Sequence, residues 1–208
     1  MLCGQSAYAQ VGGMNQRKGG EDFYFINKLL NLGRYYELTS TTVYPSPRES
    51  NRVPFGTGKA VGDLLKQKTG WRTYQIESFL WLQEVINLLS ELYHAKNSEM
   101  PLLTNNVHPA LMFFLQQCNW QAKVEEIKRN VSSEENFKKR FYQWLDPLLL
   151  VKYFNSVHDA RFQKQPVLAQ AKQLLQHARL PDIDRKQNLM GTLEVFRGLD
   201  KQKISIFT

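Results

Sequence analysis

Ten of the twelve glycines in this 208-residue chain lie in residues 1–75, and only Gly191 and Gly198 lie in the remaining 133. Glycine lets a backbone enter left-handed conformations or approach another group closely, and it weakens helix interiors. The first part of the chain must therefore turn often, while the second is free to be helical throughout. Hydrophobic periodicity agrees. Phe79, Leu82, Ile86, Leu89 and Tyr93 recur at spacings of three and four, which predicts one apolar stripe on a helix from about Tyr74 to Ala95. Pro109 predicts the start of a helix through about Asn119, and Phe137, Phe141, Trp144 and Leu145 share a face of another. Asp146-Pro147 reads as an N-cap followed by proline in a first turn, so a new helix should begin there. Two more are expected, at about Pro166 to Ala178 and Asp184 to Leu199. The fold class expected is mainly α with a small α/β part, residues 1–75 forming the latter and residues 76–208 a helical domain.

Within the first part, Ser6 to Val11 predicts a short helix, and Glu21 to Leu32 a longer one stopped by Gly33. Tyr36 to Tyr44 has the β-branched and aromatic content of a strand that Pro45 ends. A Pro, Arg and Gly loop from Pro45 to Gly58 then leads to a helix over Lys59 to Lys68. Residues 1–75 carry a net charge of +5 and residues 76–208 a net charge of +3, out of +8 overall. The basic first third suits a phosphate-bearing ligand or an anionic surface.

Several classes are excluded or disfavoured. The longest apolar run, LDPLLLVKYF, is interrupted by Asp146 and Lys152 and falls short of the roughly 20 residues that span a bilayer. Met1-Leu2-Cys3-Gly4 does not read as a secretory signal, which makes the cytoplasm the expected location. Cys3 and Cys118, with four histidines and no CxxC, cannot build a disulfide framework or a structural zinc site. Gly56-Thr57-Gly58-Lys59 lacks the Ser or Thr that a phosphate loop needs at position 60 and the earlier glycine at Val53, so it reads as a hinge and helix start. His94, His108, His158 and His177 lie apart with no i, i+4 ligand pair, and surface or interface roles are expected of them. Lys138-Lys139-Arg140 beside Glu134-Glu135 is a charge-paired helix face rather than a nucleic-acid patch.

The densest constellation is Val11-Gly12-Gly13-Met14-Asn15 followed by Gly19-Gly20-Glu21-Asp22-Phe23-Tyr24-Phe25. Glycine pairs bracket a polar turn, and two carboxylates open a helix whose free N–H groups favour negative charge. A carboxylate fixed at the wall of a cleft can take a proton from a hydroxyl. Acids in a first turn are also ordinary helix-starting residues, so composition alone does not require a function of them.

The run SAYAQVGGMNQRKGGEDFYFINKLLNLG, with TTVYPSPRESNRVPFGTG after it, resembles the acceptor-side half of family 2 glycosyltransferases of the GT-A fold. The shared elements are the turn Gly12-Gly13-Met14-Asn15, the pair Glu21-Asp22 at a helix start, the strand Thr39 to Tyr44, and the Arg-bearing loop Arg48 to Gly58. The resemblance covers about a third of the chain. It implies an inverting transfer of a sugar from a nucleotide-sugar donor to a hydroxyl of a carbohydrate or lipid-linked acceptor. Asp22 would be the catalytic base, Glu21 a neighbour orienting the acceptor or the loop, and Gly12-Gly13 the turn beneath the sugar. Arg48 and Arg52 would face the donor diphosphate or an anionic acceptor.

In that family a nucleotide-binding βα half with a DxD motif for Mg or Mn precedes the Glu-Asp element, and no such half is visible here. The literal DxD, Asp182-Ile183-Asp184, falls in a linker between helices and reads as turn and cap residues. The chain thus reads as the carboxy-terminal portion of a longer enzyme, with Met1 an internal methionine or an added start. Alone it is expected to hold no metal or cofactor and to be inactive, and its incomplete sheet edge should favour homo-oligomers. The alternative is an α-helical protein-interaction module without catalytic activity, whose glycine-rich arm is a docking segment.

Overall fold

The structure, a computed structural model, describes residues 3–16, 20–33, 36, 41, 43–44, 48, 57–66, 70–160, 162–178 and 188–202. It is mainly helical and divides into two units, Met1–Trp71 and Arg72–Thr208. No helix among the described residues is long and apolar enough to cross a membrane.

The first unit contains α1 (Gln5–Gln10), α2 (Glu21–Leu30) and α3 (Thr57–Lys66). Gly20, in the left-handed conformation at φ 71°, precedes α2, and Gly33 at φ 68° donates its N–H to Leu30 O at 3.0 Å as the expected stop. Helix α3 begins at Thr57 rather than Lys59, so the glycine at position 58 lies inside its first turn. Half of the expected strand from Thr39 to Tyr44 falls outside the described residues. Its described members Thr41, Val43 and Tyr44 belong to no strand and are exposed, so the described part of this unit is helical.

The second unit opens with β1 (Arg72–Thr73), followed by α4 (Ile76–Asn87) and α5 (Leu89–His94). After a 3-10 turn at Asn97–Glu99 come α6 (Met100–Leu103), α7 (Pro109–Gln117), α8 (Trp120–Arg129), α9 (Glu134–Trp144) and α10 (Pro147–Ala160). It continues through β2 (Gln165–Pro166), α11 (Val167–His177) and α12 (Leu189–Gln202). The two short strands pair antiparallel, Arg72 opposite Pro166 and Thr73 opposite Gln165. The core is built where α4, α5, α7, α8, α9 and α10 meet: Val85, Leu89, Leu92, Leu111, Val124, Phe137 and Phe141 are all buried there around Trp120 and Tyr153. Full burial of each such side chain contributes about 1.5–3 kcal/mol.

The single helix expected from Tyr74 to Ala95 is interrupted at Leu88, and its stripe is rotated. Leu82, Val85, Leu89 and Leu92 are buried, whereas Phe79 is 36% exposed and Ile86 and Tyr93 are only partly covered. Both sets obey three-and-four spacing and share Leu82 and Leu89. The segment is apolar over so wide an arc that period alone cannot choose between them. Asp146 behaves as expected: its Oδ1 accepts the Leu149 N–H at 2.7 Å and caps α10.

His158 departs from its expected surface or interface role, being buried at the start of α4. Its Nδ1 lies 2.7 Å from the carbonyl of Phe154, which can only accept, so Nδ1 carries the proton. Its Nε2 then accepts the Gln75 N–H at 2.8 Å, and Gln170 Oε1 accepts the Ile76 N–H at 2.7 Å. Two of the N–H groups that a helix start leaves unpaired are thus satisfied by side chains from α10 and α11. The Tyr153 hydroxyl completes the joint by donating to Ser78 O at 2.8 Å, and burial raises its pKa above the usual phenol value.

Candidate functional site: the Gly12-Gly13 turn and the Glu21-Asp22 helix

Helix α1 ends in a turn that only glycine makes without strain. Gly12 and Gly13 sit at φ 69° and 71°, in the left-handed region. The Gly12 N–H donates to Ala9 O at 3.0 Å and the Gly13 N–H to Tyr8 O at 2.9 Å, the paired backward bonds that close a helix C-terminus. The two glycines are not equivalent. A Cβ on Gly12 would meet open space, while one on Gly13 would come within 3.0 Å of the Tyr8 ring. Gly13 is therefore required twice over, by its backbone angle and by the aromatic ring against it.

This turn is fastened to α2 at two points. Phe25, buried, packs its ring 5.4 Å from that of Tyr8. One turn further along the same face, Lys28 sends its ammonium back to the turn, donating to Asn15 Oδ1 at 2.8 Å, Val11 O at 3.3 Å and Gly13 O at 3.4 Å. An ammonium has three donors, and all three are directed at this loop. Neither Lys28 nor Tyr8 was singled out by motif reasoning. The available signal was positional, since Glu21, Phe25 and Lys28 stand at i, i+4 and i+7 and share one helix face.

The carboxylates lie at the other end of α2. Glu21 is half-buried on the face that bears Phe25 and Lys28. Asp22, one residue on and about 100° around the axis, is exposed, and its Oδ1 accepts the Phe23 N–H at 2.8 Å. That bond holds one carboxylate oxygen on the helix start and leaves Oδ2 toward solvent. Along the axis, the Lys28 backbone lies about 9 Å from that of Asp22. Acids in the first turn and a lysine in the last both complement the helix dipole, each by about 0.3–1 kcal/mol.

The expected site residues are thus placed unevenly. Gly12 and Gly13 are brought against α2, Glu21 and Asp22 stand in its first turn, Arg48 is exposed, and Arg52 lies outside the described residues. Asp182 and Asp184 also lie outside them. Among the described residues no three His, Cys, Asp or Glu side chains converge. Glu21 and Asp22 stand about 100° apart around the helix axis. Comparison of the chain with protein-family models, curated proteins and solved structures gives no match.

Proposed function

We propose that residues 1–75 form the acceptor-side portion of an inverting glycosyltransferase of the family 2, GT-A type. The observation that supports this reading is the attachment of the left-handed Gly12-Gly13 turn to the Glu21-Asp22 helix through Lys28, which holds the two shared motifs in one fixed arrangement. In this reading Asp22, accessible at the helix start, takes the proton of an acceptor hydroxyl on Oδ2 while Oδ1 remains bonded to the Phe23 N–H. The acceptor oxygen attacks the anomeric carbon, the bond to the diphosphate oxygen breaks with its electron pair leaving on the diphosphate, and the anomeric configuration inverts. Glu21 orients the acceptor or the turn, and Arg48 and Arg52 attract the diphosphate or an anionic acceptor. In this reading the donor would be held by a DxD-bearing half with Mg or Mn, and residues 1–208 by themselves bind nucleotide sugars weakly and transfer nothing. A cytoplasmic setting fits nucleotide-sugar chemistry.

The test is Asp22→Asn in a polypeptide that joins this chain to a donor half. Asparagine keeps the size and the oxygen bonded to the Phe23 N–H but cannot take the proton. The expected result is a near-normal melting temperature with kcat lowered by at least about a hundredfold, and a smaller loss for Glu21→Gln. Unchanged turnover in both variants would overturn the assignment.

One observation favours the second reading, a non-catalytic interaction module. Phe23, Ile26 and Leu30, at i, i+3 and i+7 on the outer face of α2, are 38%, 37% and 42% exposed. Such a stripe suits a partner surface or self-association. In that case Ile26→Glu, not Asp22→Asn, would be the variant that abolishes the chain's association with its partner or with itself.

A further inference from the structure

The second unit contains an apolar cavity that the glycosyltransferase reading of residues 1–75 leaves unused. It has a volume of about 220 Å³ and lies between the start of α4 and the inner face of α11, walled by Ile76, Phe79, Val167, Ala171 and Leu174. Its polar neighbour Gln170 has its side-chain oxygen already committed to the Ile76 N–H. The cavity is partly open to solvent, and Phe79 in its wall is 36% exposed. A cavity of about 150 Å³ with comparable walls admits a benzene ring, so this one has room for about eight hydrocarbon carbons.

Among the described residues, the ribbon beside the cavity carries positive charge. The β1–β2 ribbon forms one border, where Thr73 and Tyr74 join the lining. It brings together Arg72, whose Nε donates to Lys164 O at 2.8 Å, and Lys164, whose ammonium sits 4.7 Å from the centre of the Tyr74 ring. Both cations are exposed, and the ribbon carries no acid. Helix α11 has none either, and its Lys172 lies on the far side from the lining residues. On α4, Glu77 stands one position round from Ile76 and Glu84 lies two turns along. An apolar slot whose Tyr74 wall carries the Lys164 ammonium, with the exposed Arg72 next to Thr73 in the same ribbon, fits a ligand with an alkyl end and an anionic end.

We propose that this cavity binds a single unbranched alkyl chain carrying an anionic head, with about eight carbons between α4 and α11 and the head at Arg72 and Lys164. The inference is independent of the glycosyltransferase reading and would survive its failure.

The test is calorimetric titration of the whole chain, below micelle-forming concentrations and at about 0.15 M salt, with hexanoate, octanoate, decanoate, 1-octanol and octyltrimethylammonium. Each added methylene should tighten binding roughly fourfold until the cavity is filled near eight carbons, with a plateau beyond. Octanoate should bind several-fold more tightly than octanol, and octyltrimethylammonium more weakly than either. Lys164→Glu, an exposed change that leaves the fold intact, should bring octanoate to the level of octanol or below. Ala171→Trp, which fills the slot, should abolish binding of every probe, with amide shifts of Val167 and Leu174 no longer responding. Absence of binding, affinity that does not grow with chain length, or an octyltrimethylammonium affinity equal to that of octanoate would overturn the proposal.

Discussion

Among the described residues of the first unit Phe25 is the buried hydrophobic side chain, whereas the second unit encloses Trp120, Phe137, Phe141 and Tyr153, each at most 1% exposed. The first unit is organised by directed contacts instead: two left-handed glycines, one ring-on-ring contact and a lysine that donates to three oxygens. The second is organised by area removed from water. Burial of a large side chain is worth kilocalories wherever it occurs, while a net hydrogen bond contributes about 0.5–1.5 kcal/mol and depends on geometry. A region held by the second kind of interaction can display polar groups to a ligand, and a region held by the first tolerates little polarity at its centre. The two units should therefore respond differently to the same class of change.

The largest expected difference comes from the core. Phe137→Ala removes a fully buried ring between α5, α8 and α9 and should lower stability by about 3–5 kcal/mol in urea unfolding followed by far-ultraviolet circular dichroism. Phe23→Ala on the outer face of α2 should cost under about 1 kcal/mol. Equal losses would break the contrast between the units.

A smaller effect sharpens the account of the turn. Gly13→Ala forces a Cβ into a left-handed residue and against Tyr8, and should destabilise the first unit by about 2 kcal/mol. Gly12→Ala bears only the backbone cost, about 1 kcal/mol. Amide exchange across α1 reads both, and identical effects would mean that Tyr8 does not press on Gly13.

The smallest effect is electrostatic and lies on the surface of the second unit. Hydrogen bonds from Lys138 and Ser90, with His94 beside them, hold the Glu134 carboxyl down at about 2 against an ordinary value of 4.5. A depressed carboxylate pKa stabilises the fold above the unfolded value and loses that contribution as pH falls through the folded one. The stability difference between the native protein and Glu134→Gln should thus be constant above pH about 5 and vanish as pH falls from 4.5 toward 2. Because the pair is solvent-facing, added salt should shrink it. A difference that grows on acidification would contradict this.

How far the sequence could be read follows the same division. The cap at Asp146, the Phe137–Phe141 face and the start of α2 rest on local rules that neighbours in sequence supply, and they are where the residues predicted them. Helix α8 escaped because its apolar residues, Trp120, Val124 and Ile127, are three among seven polar or small ones, although their four-and-three spacing buries all of them. The rotated stripe of α4 and the caps on its first N–H groups depend on α10 and α11, which arrive from about eighty or more residues away. At the candidate site the glycines and the acids were legible as a motif. The Lys28 clamp was not, because a lysine near a helix end ordinarily needs no partner beyond the dipole.

The measurement that bears most directly on the central claim, that Lys28 fixes the Gly12-Gly13 turn to the Glu21-Asp22 helix, is residue-resolved hydrogen exchange of the native chain and Lys28→Met. Methionine keeps a long apolar stem and removes the three donated hydrogen bonds. Exchange at the Gly12 and Gly13 amides should accelerate by about tenfold or more, as expected for losing roughly 1.4 kcal/mol of local protection, while amides of α4 through α10 remain unchanged. Unaltered exchange at Gly12 and Gly13 would contradict the claim.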